Sequence, residues 1–216
     1  MNKLLFATAI FCLVQSANAQ SKFEGFYGQV GLGYESTNPK ISNGTHIPSG
    51  NAFTVVNSNN QSGLIGNISI GSYFGISNSF LLGIGVEYSP LTTSNAKWTA
   101  DFHNNNVTDE PNEFKKKKSF NVFISPALII DQNKLVFTKV GYTRMYSQTT
   151  DNNGDIDSYI FNGYLLGIGF KQIIKGGLYG FAEGNYTSYR GKTLIETTSN
   201  SKPNTINFLI GLGYKF

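Results

Sequence analysis

The sequence predicts an all-β chain: an eight-stranded antiparallel up-and-down transmembrane β-barrel. Three observations carry this prediction. Segments of membrane-crossing length alternate apolar residues with small or polar ones. The connections between these segments alternate short and long. The chain opens with an export leader, and nothing after it is apolar for long enough to cross a bilayer as a helix.

The last segment shows the alternation most plainly. Ile206, Phe208, Ile210, Leu212, Tyr214 and Phe216 recur at every second position. Between them lie mostly small or polar residues, Asn207, Gly211, Gly213 and Lys215. Successive strand residues point to opposite faces, so a period of two gives one greasy face. An apolar outside, a small or polar inside and an aromatic rim suit a transmembrane barrel.

The other seven strands follow in order. The first covers residues 25–35, with Phe26, Val30, Leu32 and Tyr34 on its apolar face. The second covers 63–74, with Leu64, Ile68, Ile70 and Phe74. The third covers 80–89, with Phe80, Leu82, Ile84, Val86 and Tyr88. The fourth covers 119–130, with Phe120, Val122, Ile124, Leu128 and Ile130. The fifth covers 135–145, with Val136, Val140 and Tyr142. The sixth covers 159–171, with Tyr164, Leu166, Ile168 and Phe170. The seventh covers 178–187, with Leu178, Ala182 and Tyr186. A tilted strand needs about 9–11 residues to cross a bilayer, and these segments are near that length.

Residues 74–80, 130–134 and 171–178 make tight turns, rich in Gly, Asn, Asp and Ser. Residues 36–61, 91–118, 147–158 and 188–205 are long polar connections. Short turns at one rim and long loops at the other is the asymmetry of an outer-membrane barrel. An even strand number returns the C-terminus to the short-turn, periplasmic side.

A weak repeat runs through four strands: Gly31-Leu32-Gly33-Tyr34, Gly83-Ile84-Gly85-Val86, Gly167-Ile168-Gly169-Phe170 and Gly211-Leu212-Gly213-Tyr214. The glycines fall opposite the apolar face. In a narrow barrel they leave interior room for larger side chains, or they relieve curvature in a bent sheet.

Composition bounds the class further. Of 216 residues, 40% are hydrophobic and 14% charged, against about a quarter charged in soluble domains. Residues 1–19 read as a cleaved signal peptide: Lys3, an apolar run from Leu4 to Val14, then the small-x-small site Ala17-Asn18-Ala19. Residues 20–216 form the barrel domain. The sole cysteine, Cys12, lies within the leader, so the mature chain is expected to have no disulfide. Removing Lys3 from the 17 basic residues leaves 16 against 13 acidic ones, a mild +3. That balance does not argue for nucleic acid, and none is expected as a partner.

A secreted eight-stranded barrel that holds a ligand inside would turn its apolar face inward. The second face here is Gly, Ser, Asn, Glu and Lys, too rich in glycine and too poor in charge for a water-facing exterior. As the interior of a narrow membrane barrel it makes sense.

The cleavable leader, the Gly-apolar-Gly-aromatic strands and the C-terminal Tyr214-Lys215-Phe216 resemble the small outer-membrane β-barrel family of Gram-negative bacteria. Its members include OmpX-like and OmpA-barrel-like porin-family proteins. The resemblance spans the mature chain and implies a place in the bacterial outer membrane. It also implies that Tyr214 and Phe216 form the signal read by the barrel-assembly machinery during insertion. The cell-wall-binding domain of full OmpA-type proteins is not expected after the barrel, so cell-wall anchoring is not carried over from the resemblance. Family functions are diverse, and no functional residue transfers by motif.

Candidate site residues come from the inward face. Glu35, Glu87, Lys139, Lys171, Glu183 and Lys215 share it with Gln29, Asn67, Asn121 and Asn185. Glu87, Lys139 and Glu183 fall at middle depth on alternate strands. Opposite charges in a poorly hydrated lumen pair, because an unpaired buried charge costs several kcal/mol. A Glu87–Lys139–Glu183 network that plugs the barrel is therefore expected; the alternative is an ion path.

Lys115, Lys116, Lys117 and Lys118 mark the outer rim, as a contact for lipopolysaccharide phosphates or as a solvated charge run. His46 and His103 lie in separate long loops, without a His-x-Ser-Asn-like element beside a strand, so no catalysis is expected. Asp151, Asn153, Asp155 and Asp157 alternate loosely in the manner of a calcium loop, but the sixth-position glycine and a distal glutamate are missing. Asn153-Gly154 suits a hairpin turn instead. Phe53, Trp98, Phe102 and Phe114 read as an adhesive patch, as girdle residues, or as strand extensions above the membrane.

The leading function is structural and surface-related: envelope integrity, loop-mediated adhesion to host or surface ligands, and contact with outer-membrane lipid and lipopolysaccharide. The alternative is a narrow porin-like channel for small solutes. A lipid-modifying enzyme is disfavoured by the missing triad. The chain is expected to be a monomer with no cofactor and no metal.

Overall fold

The structure is a computed structural model that describes residues 21–92, 95–102, 110–151 and 154–216. The expected leader with Cys12 lies outside the described residues, as do His103 and Asn153. Eight long strands make the barrel. They are β1 (Gly25–Asn38), β2 (Gln61–Gly75), β3 (Phe80–Thr92) and β4 (Glu110–Asp131), then β5 (Lys134–Thr150), β6 (Ile156–Lys175), β7 (Leu178–Tyr189) and β8 (Asn204–Lys215). Each pairs antiparallel with its chain neighbours. β1 also pairs with β8, with Gly31 opposite Gly211 and Tyr34 opposite Phe208, and this seam closes the sheet. Closure leaves no exposed edge, the condition for a sheet to sit in hydrocarbon.

The alternation places the side chains as expected. Leu32, Ile84 and Ile210 point outward and are 69%, 51% and 58% exposed. A band of apolar side chains bared around the whole sheet is a lipid face. At the periplasmic end the turns are tight. Gly176 supplies a φ of +59° to one of them, a left-handed conformation that a side chain disfavours. At another, the Asn133 N–H donates to Asp131 Oδ1 at 2.8 Å. That bond, with Lys134 beside it, holds the Asp131 carboxyl below the usual carboxylate range.

The inward face carries more bulk than its glycines suggest. Tyr27, Tyr73, Leu81, Leu135, Phe137 and Tyr179 fill the periplasmic half and are buried. Glycines make room for such rings on neighbouring strands. A methyl group on Gly83 would stand 2.7 Å from the Tyr73 ring, and one on Gly85 2.6 Å from Phe123. These inward rings escape a period-two reading because Leu81, Phe123, Phe137 and Phe181 neighbour outward apolar residues, which blurs the alternation locally.

The extracellular half departs from expectation. β4 begins at Glu110 rather than at residue 119, β5 runs on to Thr150, and β6 starts at Ile156. Two of the four long connections are therefore mostly strand. Above the membrane both faces of a strand meet water or polar neighbours, so no apolar period marks it. The ladder itself satisfies the backbone there, as in the pairing of Glu113 with Thr150.

Further strands build a head on this extension. Asn95–Asp101 pairs with β4, and Ala52–Val56 pairs with Asn95–Asp101. Bridges from Ile41 to Ser201 and from His46 to Thr197 tie the first loop to the last. Asp155 N–H donates to Asp151 Oδ1 at 2.8 Å, and Gly154 N–H to the Asp151 carbonyl at 3.2 Å.

Candidate functional site

Three layers of buried charge cross the lumen. In the middle layer, β5 carries Lys139 between Glu87 on β3 and Glu183 on β7. Lys139 Nζ stands 3.0 Å from Glu87 Oε2 and 2.8 Å from Glu183 Oε1. The carboxylates are satisfied further by amides on the inward face. Asn121 Nδ2 donates to Glu87 Oε1 at 2.8 Å, and Asn185 Nδ2 to Glu183 Oε1 at 3.0 Å. Lys139 also lies 4.6 Å from the Phe123 ring centroid. The three expected residues are thus brought together, with partners that allow their burial.

Lys171 on β6 forms the periplasmic layer in a different way. Among the described residues no carboxylate pairs with it; aromatic faces surround it. Its Nζ is 3.8 Å from the Tyr27 ring centroid, 4.8 Å from Tyr179 and 5.0 Å from Tyr73. A ring face attracts a cation, the more so when water is excluded. Tyr179 donates its hydroxyl proton to Gln29 Oε1 at 3.0 Å, which fixes one wall of the cage. Spacing alone cannot reveal this cage, because its rings come from three other strands.

The extracellular layer corrects the reading of the four lysines as one rim. Lys116 turns into the lumen, where its Nζ meets Glu35 Oε1 and Oε2 at 2.8 and 2.7 Å. Asn207 Nδ2 adds a contact to Glu35 at 3.4 Å. The cause is strand geometry: the lysine run lies inside β4, so its members alternate between faces. The ladder to β5 skips Lys117, pairing Lys116 with Ser147 and Lys118 with Tyr146. This bulge leaves Lys117 and Lys118 both exposed. Lys118 Nζ lies 5.0 Å from the Tyr146 ring centroid.

Among the described residues, the buried charged side chains are Glu35, Glu87, Glu183, Lys116, Lys139 and Lys171. The acids and the lysines balance one for one. Lys215 is only half-buried, at the periplasmic rim.

Above these layers sits a second aromatic cluster, and it corrects the idea of an adhesive loop patch. Phe53, Trp98, Phe102 and Phe114 are buried together with Met145, Phe161 and Tyr189. Phe53 packs 5.7 Å from Phe102 and 6.4 Å from Trp98, centroid to centroid. Phe114 and Phe161 lie on barrel strands prolonged above the membrane, Phe53 and Trp98 on the added head strands and Phe102 just past one of them, so the rings fill the head rather than coat it. His46 Nδ1 lies 2.9 Å from Ser49 Oγ within its own turn. The Tyr159 hydroxyl accepts a bond from Ile195 N–H at 2.9 Å. Burial, and then Asp157 nearby, raise the Tyr159 phenol above its ordinary value.

At the outer rim, Arg190 donates to the Tyr164 hydroxyl at 2.7 Å and Arg144 to Asn162 at 3.1 Å. With Lys117 and Lys118 they set exposed cations next to the lipid-facing aromatics of β4 to β7.

The comparisons agree with this architecture. The sequence matches the family described as the outer membrane protein beta-barrel domain over residues 4–216. No curated protein matches the chain in sequence. Among solved structures, the fold is similar to Neisserial surface protein A, at 12% identity and a TM-score of 0.54, covering 89% of this chain and 97% of that one. Ail, the attachment invasion locus protein of Yersinia pestis, matches at 14% identity and a TM-score of 0.45, over 89% of this chain and 99% of that one. Outer membrane protein OprG of Pseudomonas aeruginosa matches at 13% and 0.47, over 91% and 99%. Such identities speak to fold alone. With a closed eight-stranded barrel and a family match that covers nearly all of its length, the chain belongs to the outer membrane protein beta-barrel domain family and resides in the bacterial outer membrane.

Proposed function

We propose that the protein is a non-enzymatic, non-conducting barrel that supports the envelope and holds out an extracellular head for contact with host or surface ligands. The observation that carries this reading is the triple closure of the lumen. Each layer occupies the bore with side chains whose charges are already answered by a carboxylate, a lysine or an aromatic cage. An ion path needs hydrated, mobile charge. These groups are buried and mutually bound, and eight strands enclose little more volume than side chains fill. Planar-bilayer recordings of the purified protein test the reading. Only background or brief, small openings are expected; a large and stable channel would overturn it in favour of a narrow solute pore.

The same reading assigns the outer rim to anionic lipid. Lys115, Lys117 and Lys118 with Arg144 and Arg190 are read as the contact for lipopolysaccharide phosphates, and Lys116 is excluded because it faces inward. The barrel is read as a monomer in that lipid. Replacing Lys117 and Lys118 by glutamine is expected to weaken lipopolysaccharide binding, while Lys116→Gln alters folding instead. Unchanged affinity in the first variant removes the lipid contact from the proposal.

A further inference from the structure

The head encloses a cavity that the charge layers leave unused. Phe53, Trp98, Phe102 and Tyr159 line it, and Asp157 and Glu196 stand among its lining residues. It holds roughly 630 Å³ of space free of atoms, its open mouth included. Lysine and arginine are absent from its described lining, although cations ring the barrel outside. The mouth is thus acidic and aromatic within a basic rim.

Two details mark the cavity as built. Tyr159 is 5% exposed and is pinned by the Ile195 N–H at 2.9 Å, with Asp157 beside its hydroxyl. Trp98 is 4% exposed, and its indole Nε1–H has no hydrogen-bond partner. A buried donor without an acceptor is costly to maintain, and a water or a ligand group in the cavity supplies one. Phe114 packs in the same buried aromatic cluster as Phe53, Trp98 and Phe102.

We propose that this cavity binds a small organic cation, an amine or quaternary ammonium whose body carries a hydrogen-bond acceptor. Aromatic faces attract an ammonium group, and quaternary ammonium ligands favour such walls. Asp157 and Glu196 supply the opposite charge, and the acceptor meets Trp98 Nε1–H. This site is independent of whether the lumen conducts.

Trp98 is the sole tryptophan of the chain, so its emission reports the cavity directly. The probe is acetylcholine, a quaternary ammonium with an ester carbonyl, set against its uncharged isostere 3,3-dimethylbutyl acetate. Acetylcholine is expected to change Trp98 emission saturably, and the isostere to bind about tenfold or more weakly, the loss of one charge–ring and charge–carboxylate set. Glu196→Gln, an exposed loop change that leaves the barrel ladder untouched, is expected to weaken acetylcholine binding several-fold; Asp157→Asn does the same if its heat-modifiable gel mobility matches the parent. Equal binding of the two probes overturns the proposal in favour of a merely apolar cleft. Absence of any saturable change overturns it outright.

Discussion

Lys116 and Glu35 meet across the lumen from strands that do not pair, with 2.7 Å between Nζ and Oε2 and exposures of 2% and 1%. Removing one partner strands the other charge in a dry interior. Lys116→Met is expected to cost about 3–5 kcal/mol of stability. The double variant Glu35→Gln/Lys116→Met should recover most of it, since no charge is left unpaired. Urea titration of the protein in lipid vesicles, read by gel mobility, measures both. Equal destabilisation by the single and double variants would show that packing, not charge pairing, holds this layer.

The three layers lie in series along the bore, so the tightest remaining one limits ion flow. Alanine at Glu87, Lys139 and Glu183 together is expected to leave bilayer conductance near background, because the Lys171 cage and the Lys116–Glu35 pair still close the lumen. Adding alanine at Glu35 and Lys116 should raise the frequency of openings. A stable channel from the first triple alone would place the whole barrier at the middle layer.

Gly83 and Tyr73 illustrate how the interior is fitted. A Cβ at residue 83 meets the Tyr73 ring at 2.7 Å and the Ser125 side chain at 3.1 Å. Gly83→Ala is therefore an overpacking change, expected to cost about 1–3 kcal/mol. In a Tyr73→Leu background the same alanine should cost less, since the ring it strikes is gone. A thermodynamic cycle in vesicles separates this from a general strand effect.

Ile84 lies on the lipid face, half-exposed and opposite Ile124 in the ladder. Ile84→Lys is expected to cost about 2–4 kcal/mol near the bilayer midplane. The same substitution at residue 47, an exposed isoleucine in the head, should cost little. Equal costs at the two positions would contradict the lipid-facing assignment.

Phe216 is 78% exposed, yet its N–H donates to the Phe26 carbonyl at 2.9 Å and its ring packs 5.4 Å from Tyr214. Deleting it removes one seam bond and an aromatic at the periplasmic rim. The expected outcome is slower insertion by the barrel-assembly machinery, with near-parent stability in barrels that do fold. Pulse–chase of heat-modifiable protein in cells measures the first, and vesicle unfolding the second. A normal insertion rate removes the assembly role from Tyr214 and Phe216.

The barrel itself is legible in the chain. Lipid demands an apolar residue at every second position, and that demand writes a period of two from Phe26 to Phe216. Strand number, turn rims and the β1–β8 seam follow from it. Glu87, Lys139 and Glu183 are legible for the same reason, because a lone charge on the inward face of a short strand must find its opposite across a narrow bore.

Where the chain leaves the bilayer, the rule lapses. Water accepts polar residues on either face, so the strand extension from Glu110 and the inward turn of Lys116 leave no mark on the pattern. A bulge at Lys117 then decides which lysines face lipid and which the lumen. The Lys171 cage and the cavity beside Trp98 collect side chains from strands far apart in sequence. By itself the sequence determined the solvent of each face, since burial against lipid is a local property of each residue. Only the tertiary structure decided which groups meet inside, because meeting across a closed sheet depends on register and curvature summed over all its strands.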